Sequence, residues 1–471
     1  MGELEVVRLD ELVDGQKIRF PAILYLVIAV LVLASDGFDM SAIGYVAPEL
    51  VKEWHISPAA LAPVFLAGIL GLFLGAPILG TIGDRIGRRK AILIGLCLFG
   101  GVTLATMMAS TPQHFIILRF ITGLGLGGVI PNVTALTAEI APKRFRGSFI
   151  VIVAFGVAAG IALAGGVAAG FVQQFGWPVL LLVGGCLPLS VAAISYFLLP
   201  ESIKYLAARP DRQEEVRRIA RRLRPDLEIG NSTRFEVPTS RQPLSVGSPK
   251  GLFAHGLWAI TPLLWIALAA NQMTNFFVMT WLPTLLQQTG ASISSAGISG
   301  SMFSLGGMVG GVILLFLIDR FGVIPLVVFF VLGAPLIAAI GISGLSPTEQ
   351  RLIIGGAGFC VTGVNLGLTA ALGMVYPTPI RSMGAGWAQA AGRLGALVAP
   401  AVGGALLGLH FSVQKLLLAP AASLVIGALA CMTLLVLCIR RFQSYTLNEF
   451  AATAPQPAAP SLVLTAEPDR G

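Results

Sequence analysis

The sequence predicts an all-α integral membrane protein, with twelve transmembrane helices in two pseudo-symmetric six-helix bundles. Three observations carry that prediction. Of 471 residues, 55% are hydrophobic and 11% charged, against about 25% charged in soluble domains, and the mean hydropathy is +0.85. Twelve apolar runs divide the chain, each near the roughly 20 residues that cross a bilayer as a helix. Landmarks of the first half also return in the second at a constant offset. A soluble enzyme, a disordered chain and a secreted disulfide scaffold are all excluded by this composition.

Residues 1–19 are polar and read as a cytoplasmic N-terminus. The first run carries Asp36 and Asp39 and follows acidic residues, so it reads as a retained helix and not a cleaved signal. Runs near 20–46, 59–82, 90–110, 114–138, 147–172 and 178–199 make a first bundle, 20–199. A basic linker, 200–252, holds eleven Lys or Arg, and its Arg209–Arg224 stretch reads as helical. Runs near 255–286, 292–317, 322–343, 350–373, 383–407 and 415–439 make a second bundle, 253–441. The Ala- and Pro-rich 442–471 is expected to be a disordered cytoplasmic tail.

The net charge of +8 does not point to nucleic acid, because the cations sit in the short breaks between runs. Arg8, Lys17, Arg19, Arg85, Arg88, Arg89, Lys90, Lys143, Arg144, Arg146, the linker, Arg320 and Arg381 all fall on one side. Only Lys52, Arg351 and Lys415 fall on the other, so the positive-inside rule places both termini in the cytoplasm. Cys97, Cys186, Cys360, Cys431 and Cys438 lie within apolar runs and read as small packing residues.

The sharpest loop signal is Gly83-Asp84-Arg85-Ile86-Gly87-Arg88-Arg89-Lys90. Asp84-Arg85-x-Gly87 returns as Asp319-Arg320-x-Gly322, and Pro142 with Arg146 as Pro377 with Arg381, both at an offset of 235. The loop resembles the signature loop of the major facilitator superfamily, which places its second copy where Asp319 and Arg320 stand. That resemblance implies a role in conformational switching, with charged contacts latching the two halves; a loop that only sets topology is the plainer alternative.

Asp36 and Asp39 share a helix face inside the apolar run, where an ionised group costs about 2.5–3.5 kcal/mol. Carboxyls whose charge burial disfavours can load and release protons near neutral pH. Asp36-Gly37-Phe38-Asp39 is similar to the D-G-x-D motif of the superfamily's aromatic acid:proton symporters. Arg119, in the fourth run, holds its charge and needs an anion as partner. Leu118-Arg119-Phe120-Ile121-Thr122-Gly123 resembles the fourth-helix motif whose Arg is associated with proton coupling. Arg119 and Arg393 have uncharged counterparts at the offset, Ile354 and Ala158, which favours chemistry over folding for both; snorkelling to an interface is the alternative.

Gly123, Gly125 and Gly128 match GxGxxG, but a dinucleotide fingerprint needs a strand before it and a βαβ unit. Close helix approach explains these glycines better, as it does Gly166-x-x-x-Gly170. In the seventh run Asn271 and Thr274 occupy the positions of Asp36 and Asp39. Asn271 and Asn275 can bind a carboxylate or hydroxyl, and Phe276 or Phe277 can stack on an aromatic ring. Trp281-Leu282-Pro283-Thr284-Leu285-Leu286, and Trp387, Gln389 and Arg393 in the eleventh run, are similar to the same symporters. For any one of these, helix packing is an equal explanation.

The resemblance implies proton-coupled uptake of a small organic anion, most simply an aromatic carboxylate such as a hydroxybenzoate. Asp36, Asp39 and Arg119 would couple protons; Arg119, Asn271, Asn275, Phe276, Trp387, Gln389 and Arg393 would bind substrate. Another cargo (nicotinate, muconate, a sugar acid), an efflux antiporter and a transporter-like sensor are the competing readings. Span five lacks the proline of the antiporter motif, which tilts the choice to uptake. His55, His114, His255 and His410 have no metal spacing; neither metal nor cofactor is expected, and the chain is expected to be a monomer in the cell (inner) membrane and not an enzyme.

Overall fold

Each long helix begins and ends on local signals. Pro112, Pro178 and Pro347 occupy first-turn positions, where a missing N–H costs nothing. Thr111 and Ser292 cap their helices through their hydroxyls, and Ser346 forms a capping box with Glu349. Gly87, at φ 108°, and Gly322, at φ 59°, end helices in backbone that a side chain disfavours. These two turns lie at the offset of 235.

The computed structural model describes residues 6–16, 18, 20–224, 230, 233–236, 252–253, 257–376 and 380–442. Lys17, Arg19, Pro377, the tail from 443 and much of the linker beyond 236 lie outside the described residues. The first bundle comprises α2 (Phe20–Glu53), α3 (Ala62–Ile86), α4 (Arg88–Thr106), α5 (Pro112–Ile140), α6 (Arg146–Phe175) and α7 (Pro178–Leu198). The second comprises α10 (Ile260–Gln288), α11 (Ile293–Phe321), α12 (Ile324–Ala339), α13 (Pro347–Val375), α14 (Arg381–Gly408) and α15 (Val413–Phe442). Both ends of α5 map onto both ends of α13 at the offset, as do the starts of α6 and α14. Eleven of the twelve are long and apolar enough to cross a membrane. The exception is α12, at 16 residues only about 24 Å long, followed by a turn with Ile342 N bonded to Ala339 O.

Before the first bundle, β1 (Val6–Arg8) leads into α1 (Leu9–Asp14). After it come α8 (Ile203–Ala207), α9 (Gln213–Leu223) and β2 (Arg234–Glu236). β1 pairs in parallel with β2, so two three-residue strands supplement the all-helical frame. Leu9, Leu12, Ile203, Leu206, Val216 and Phe235 form a small core there. Asp14 accepts from the Lys143 backbone N–H at 2.8 Å, which ties this cluster to the turn between α5 and α6.

Glycines decide how near the helices come. A Cβ on Gly123 would lie 2.2 Å from Gly68 O, and one on Gly128 2.0 Å from the Leu79 Cβ. Gly166 and Gly170 correct the expectation, for a Cβ on either would meet nothing within 4 Å. The close pair of α6 and α11 instead uses Gly165 against Gly297. Between the halves, contact is tight at the end away from the termini. Gly44 of α2 packs on Met279 O of α10, and Phe65 meets Trp281 edge-on at 5.1 Å.

Candidate functional site

At the middle of α2, Asp36 and Asp39 are 0% and 1% exposed. Gly37 sets α2 directly on α6, since a Cβ there would fall 2.0 Å from Val157 O. Asp39 meets Arg119 of α5 in a two-pronged ion pair, with Nη1 to Oδ1 at 3.1 Å and Nη2 to Oδ2 at 2.9 Å. Thr103 of α4 donates its hydroxyl to Asp39 Oδ1 at 2.9 Å. Neither oxygen of Asp36 has a hydrogen-bond partner among the described residues. Two carboxyls three residues apart therefore have opposite surroundings, one fully paired and one bare.

Arg119 also lines a pocket between the halves, with Met40, Phe65, Phe276, Met279 and Thr280 among the other lining residues. One guanidinium shares a largely apolar lining with the rings of Phe65 and Phe276, which suits a flat aromatic anion. A second pocket lies among Tyr25, Ile28, Ile92, Val133 and Phe149. No charged side chain lines it, so an anion has no counter-charge there.

The remaining expected contacts do not converge on this chamber. Asn271 is fully buried and donates its Nδ2 to Val361 O at 2.8 Å, which ties α10 to α13, while its Oδ1 has no partner among the described residues. Asn275 accepts from the Thr362 hydroxyl at 3.5 Å, the weak end of the range. Trp387 stacks on Trp265 at 6.0 Å and is half-exposed. Gln389 donates to Thr369 at 3.4 Å. Arg393 is half-buried and has no ion pair among the described residues. Of the expected substrate contacts, the structure thus gathers Arg119 and Phe276.

The gating motif is also placed differently from its reading as a loop. Gly83, Asp84 and Arg85 close the last turn of α3, and Gly87 alone makes the turn before Arg88 and Arg89 open α4. Arg88 pairs with Glu139 of α5 at 3.0 Å and more loosely with Asp84 at 3.6 Å. The Arg89 backbone N–H donates to Glu201 at 3.0 Å, and the Ser202 hydroxyl donates to Glu139. Among the described residues these partners all belong to the first bundle or the linker start, so in this state the motif braces one half. Asp319 and Arg320 are exposed and have no ion pair among the described residues.

Thr103, Glu139, Glu201 and Thr280 were not singled out from sequence. Glu139 carried a signal, an acid at a span end seven residues before Arg146; a threonine within a span carries none.

The family model of the Major Facilitator Superfamily matches residues 29–375 and 264–466. The chain belongs to the major facilitator superfamily. Within it, this chain is 33% identical over 409 residues to the 4-hydroxybenzoate transporter PcaK of Acinetobacter baylyi, covering 85% of this chain and 89% of that one. It is 34% identical to a gallate transporter of Pseudomonas putida, over 86% of this chain and 90% of that one. The inward-open xylose transporter XylE of E. coli superposes with a TM-score of 0.66, covering 92% of this chain and 99% of that one at 17% identity. The superfamily assignment makes the chain a multi-pass membrane transporter and not an enzyme.

Proposed function

We propose that this major facilitator protein imports a small aromatic carboxylate together with protons, by alternating access of one central site to the two sides of the cell membrane. The observation that carries the reading is the buried Asp39–Arg119 pair, whose arginine lines the chamber between the halves. Arg119 offers the substrate carboxylate a cation, and Phe65 and Phe276 offer its ring apolar faces. With Asp39 ionised, Arg119 is already occupied; with Asp39 protonated, it is released to the substrate. Asp36 is the second proton site, because a bare buried carboxylate has no other counter-charge. The hydroxybenzoate and gallate transporters among the relatives support the aromatic cargo.

In this reading the termini end, where the basic residues cluster, is cytoplasmic, and the tight contact at the opposite end supports an inward-facing state. The test is uptake of labelled 4-hydroxybenzoate into proteoliposomes holding the full chain, with the outside acidified. Wild type accumulates the acid and collapse of the proton gradient stops it, while Asp36→Asn and Asp39→Asn each lose accumulation. Accumulation by Asp39→Asn equal to wild type overturns the coupling role; accumulation that ignores the gradient overturns symport.

A further inference from the structure

The chamber beside Arg119 is lined by few hydrogen-bonding side chains. Apart from Arg119, its one lining side chain with an oxygen or nitrogen, among the described residues, is Thr280 of α10. Threonines in the long helices of this chain commonly return their hydroxyl to the carbonyl four residues back. Thr81, Thr106, Thr122, Thr369 and Thr433 all do so, at 2.8–2.9 Å. This local bond is the default where water is absent. Thr280 makes no hydrogen bond among the described residues although its residue is 7% exposed. Its side chain sits one turn from Phe276, on the same chamber wall.

We propose that Thr280 is a specificity-determining residue that pairs with a ring hydroxyl of the transported acid while Arg119 takes its carboxylate. The inference rests on the aromatic-acid reading above and narrows it. One hydroxyl position in an otherwise apolar chamber selects a monohydroxylated acid over both its neighbours. Benzoate leaves Thr280 unpaired, and gallate brings two more hydroxyls than the chamber can satisfy. A lost neutral hydrogen bond corresponds to roughly 3- to 10-fold in affinity. Hydroxyls added against a hydrophobic wall are rejected by about 100-fold.

The experiment compares uptake of benzoate, 4-hydroxybenzoate and gallate by the full chain in proteoliposomes, for wild type, Thr280→Val, Thr280→Ala and Thr280→Ser. Wild type should favour 4-hydroxybenzoate over benzoate by roughly 3- to 10-fold and over gallate by about 100-fold. Thr280→Val should bring the hydroxybenzoate-to-benzoate ratio to within about 2-fold of unity, since the pairing bond is gone. Thr280→Ser should restore the preference, and Thr280→Ala repeats the test if the valine variant does not fold. Flux of both acids at the wild-type ratio in the valine or alanine variant overturns the assignment, as does gallate uptake equal to that of 4-hydroxybenzoate. No flux of any of the three acids in wild type overturns the aromatic-acid reading itself, and the assignment with it.

Discussion

The two halves place their helices at one offset yet differ at the middle of their first helices. In α2, Asp39 is bound by Arg119 and Thr103. At the matching place in α10, Thr274 donates to Pro420 O at 2.8 Å and Asn271 to Val361 O at 2.8 Å. The counterparts of Arg119 and Thr103 are Ile354 and Ala338. The same asymmetry returns at the termini end, where Arg88, Arg89 and Glu139 correspond to Val323, Ile324 and Met374. Both copies keep the scaffold, while the buried ion pair lies in the first; the second half has the half-buried Arg393 of α14 with no ion pair among the described residues. Neutral hydrogen bonds are sufficient to hold helices together; under the function proposed above, the costlier buried ion pair marks the half that handles protons and anions.

The sharpest way to break this comparison is to remove the cation. Arg119→Gln leaves Asp39 without its partner in a buried site, and separating such a pair costs about 3–5 kcal/mol. Substrate counterflow should fall to background, and thermal unfolding in detergent should show the loss of stability. Adding Asp39→Asn should recover most of that stability but no transport, because no cation is left for the carboxylate. In the second half, Ile354→Val at the matching position should cost only about 0.5–1.5 kcal/mol. Transport by the double variant would sink the role of Arg119 as substrate partner.

Much of this was legible before any coordinates. Apolar runs, helix-start prolines and turn glycines are local signals, and they located both bundles and their offset. Asp36, Asp39 and Arg119 were legible because a charge in an apolar run has few cheap explanations. Which aspartate meets Arg119 was not, because the partners lie 80 residues apart and only the packing of α2 against α5 decides. Asn271 shows the limit of the same logic. A buried amide needs a partner, but sequence cannot say whether that partner is a substrate or the Val361 carbonyl. Thr103 was hidden for a related reason: Thr106, on the same helix, satisfies itself at Val102 O, and nothing local separates the two. The cluster that pairs β1 with β2 joins segments more than 200 residues apart, beyond the reach of pattern.

A smaller effect separates the two signature turns. Glu139 is 12% exposed and accepts from both Arg88 and Ser202. Glu139→Gln should cost about 1.5–3 kcal/mol, the range for hydrogen bonds to a charged group. Asp319→Asn, on an exposed side chain without an ion pair among the described residues, should stay within about 0.5 kcal/mol. Unfolding midpoints of the two variants in one detergent measure the difference. Equal shifts would mean that the second copy also bears load and that the brace is not peculiar to the first half.

The smallest effect is expected where the second half substitutes for Asp39. Thr274→Val keeps the shape and removes one donor. Pro420 O, within α15, keeps its own helical N–H partner, so the carbonyl is not stranded. The loss should be about 1 kcal/mol, with aromatic-acid uptake within about 2-fold of wild type, since a neutral packing bond is made equally before and during transport. Asp39→Asn, an equally conservative change at the matching position, should lose accumulation. If Thr274→Val instead abolished uptake at unchanged stability, the second half would hold part of the coupling machinery, and the division between a chemical half and a scaffold half would fail.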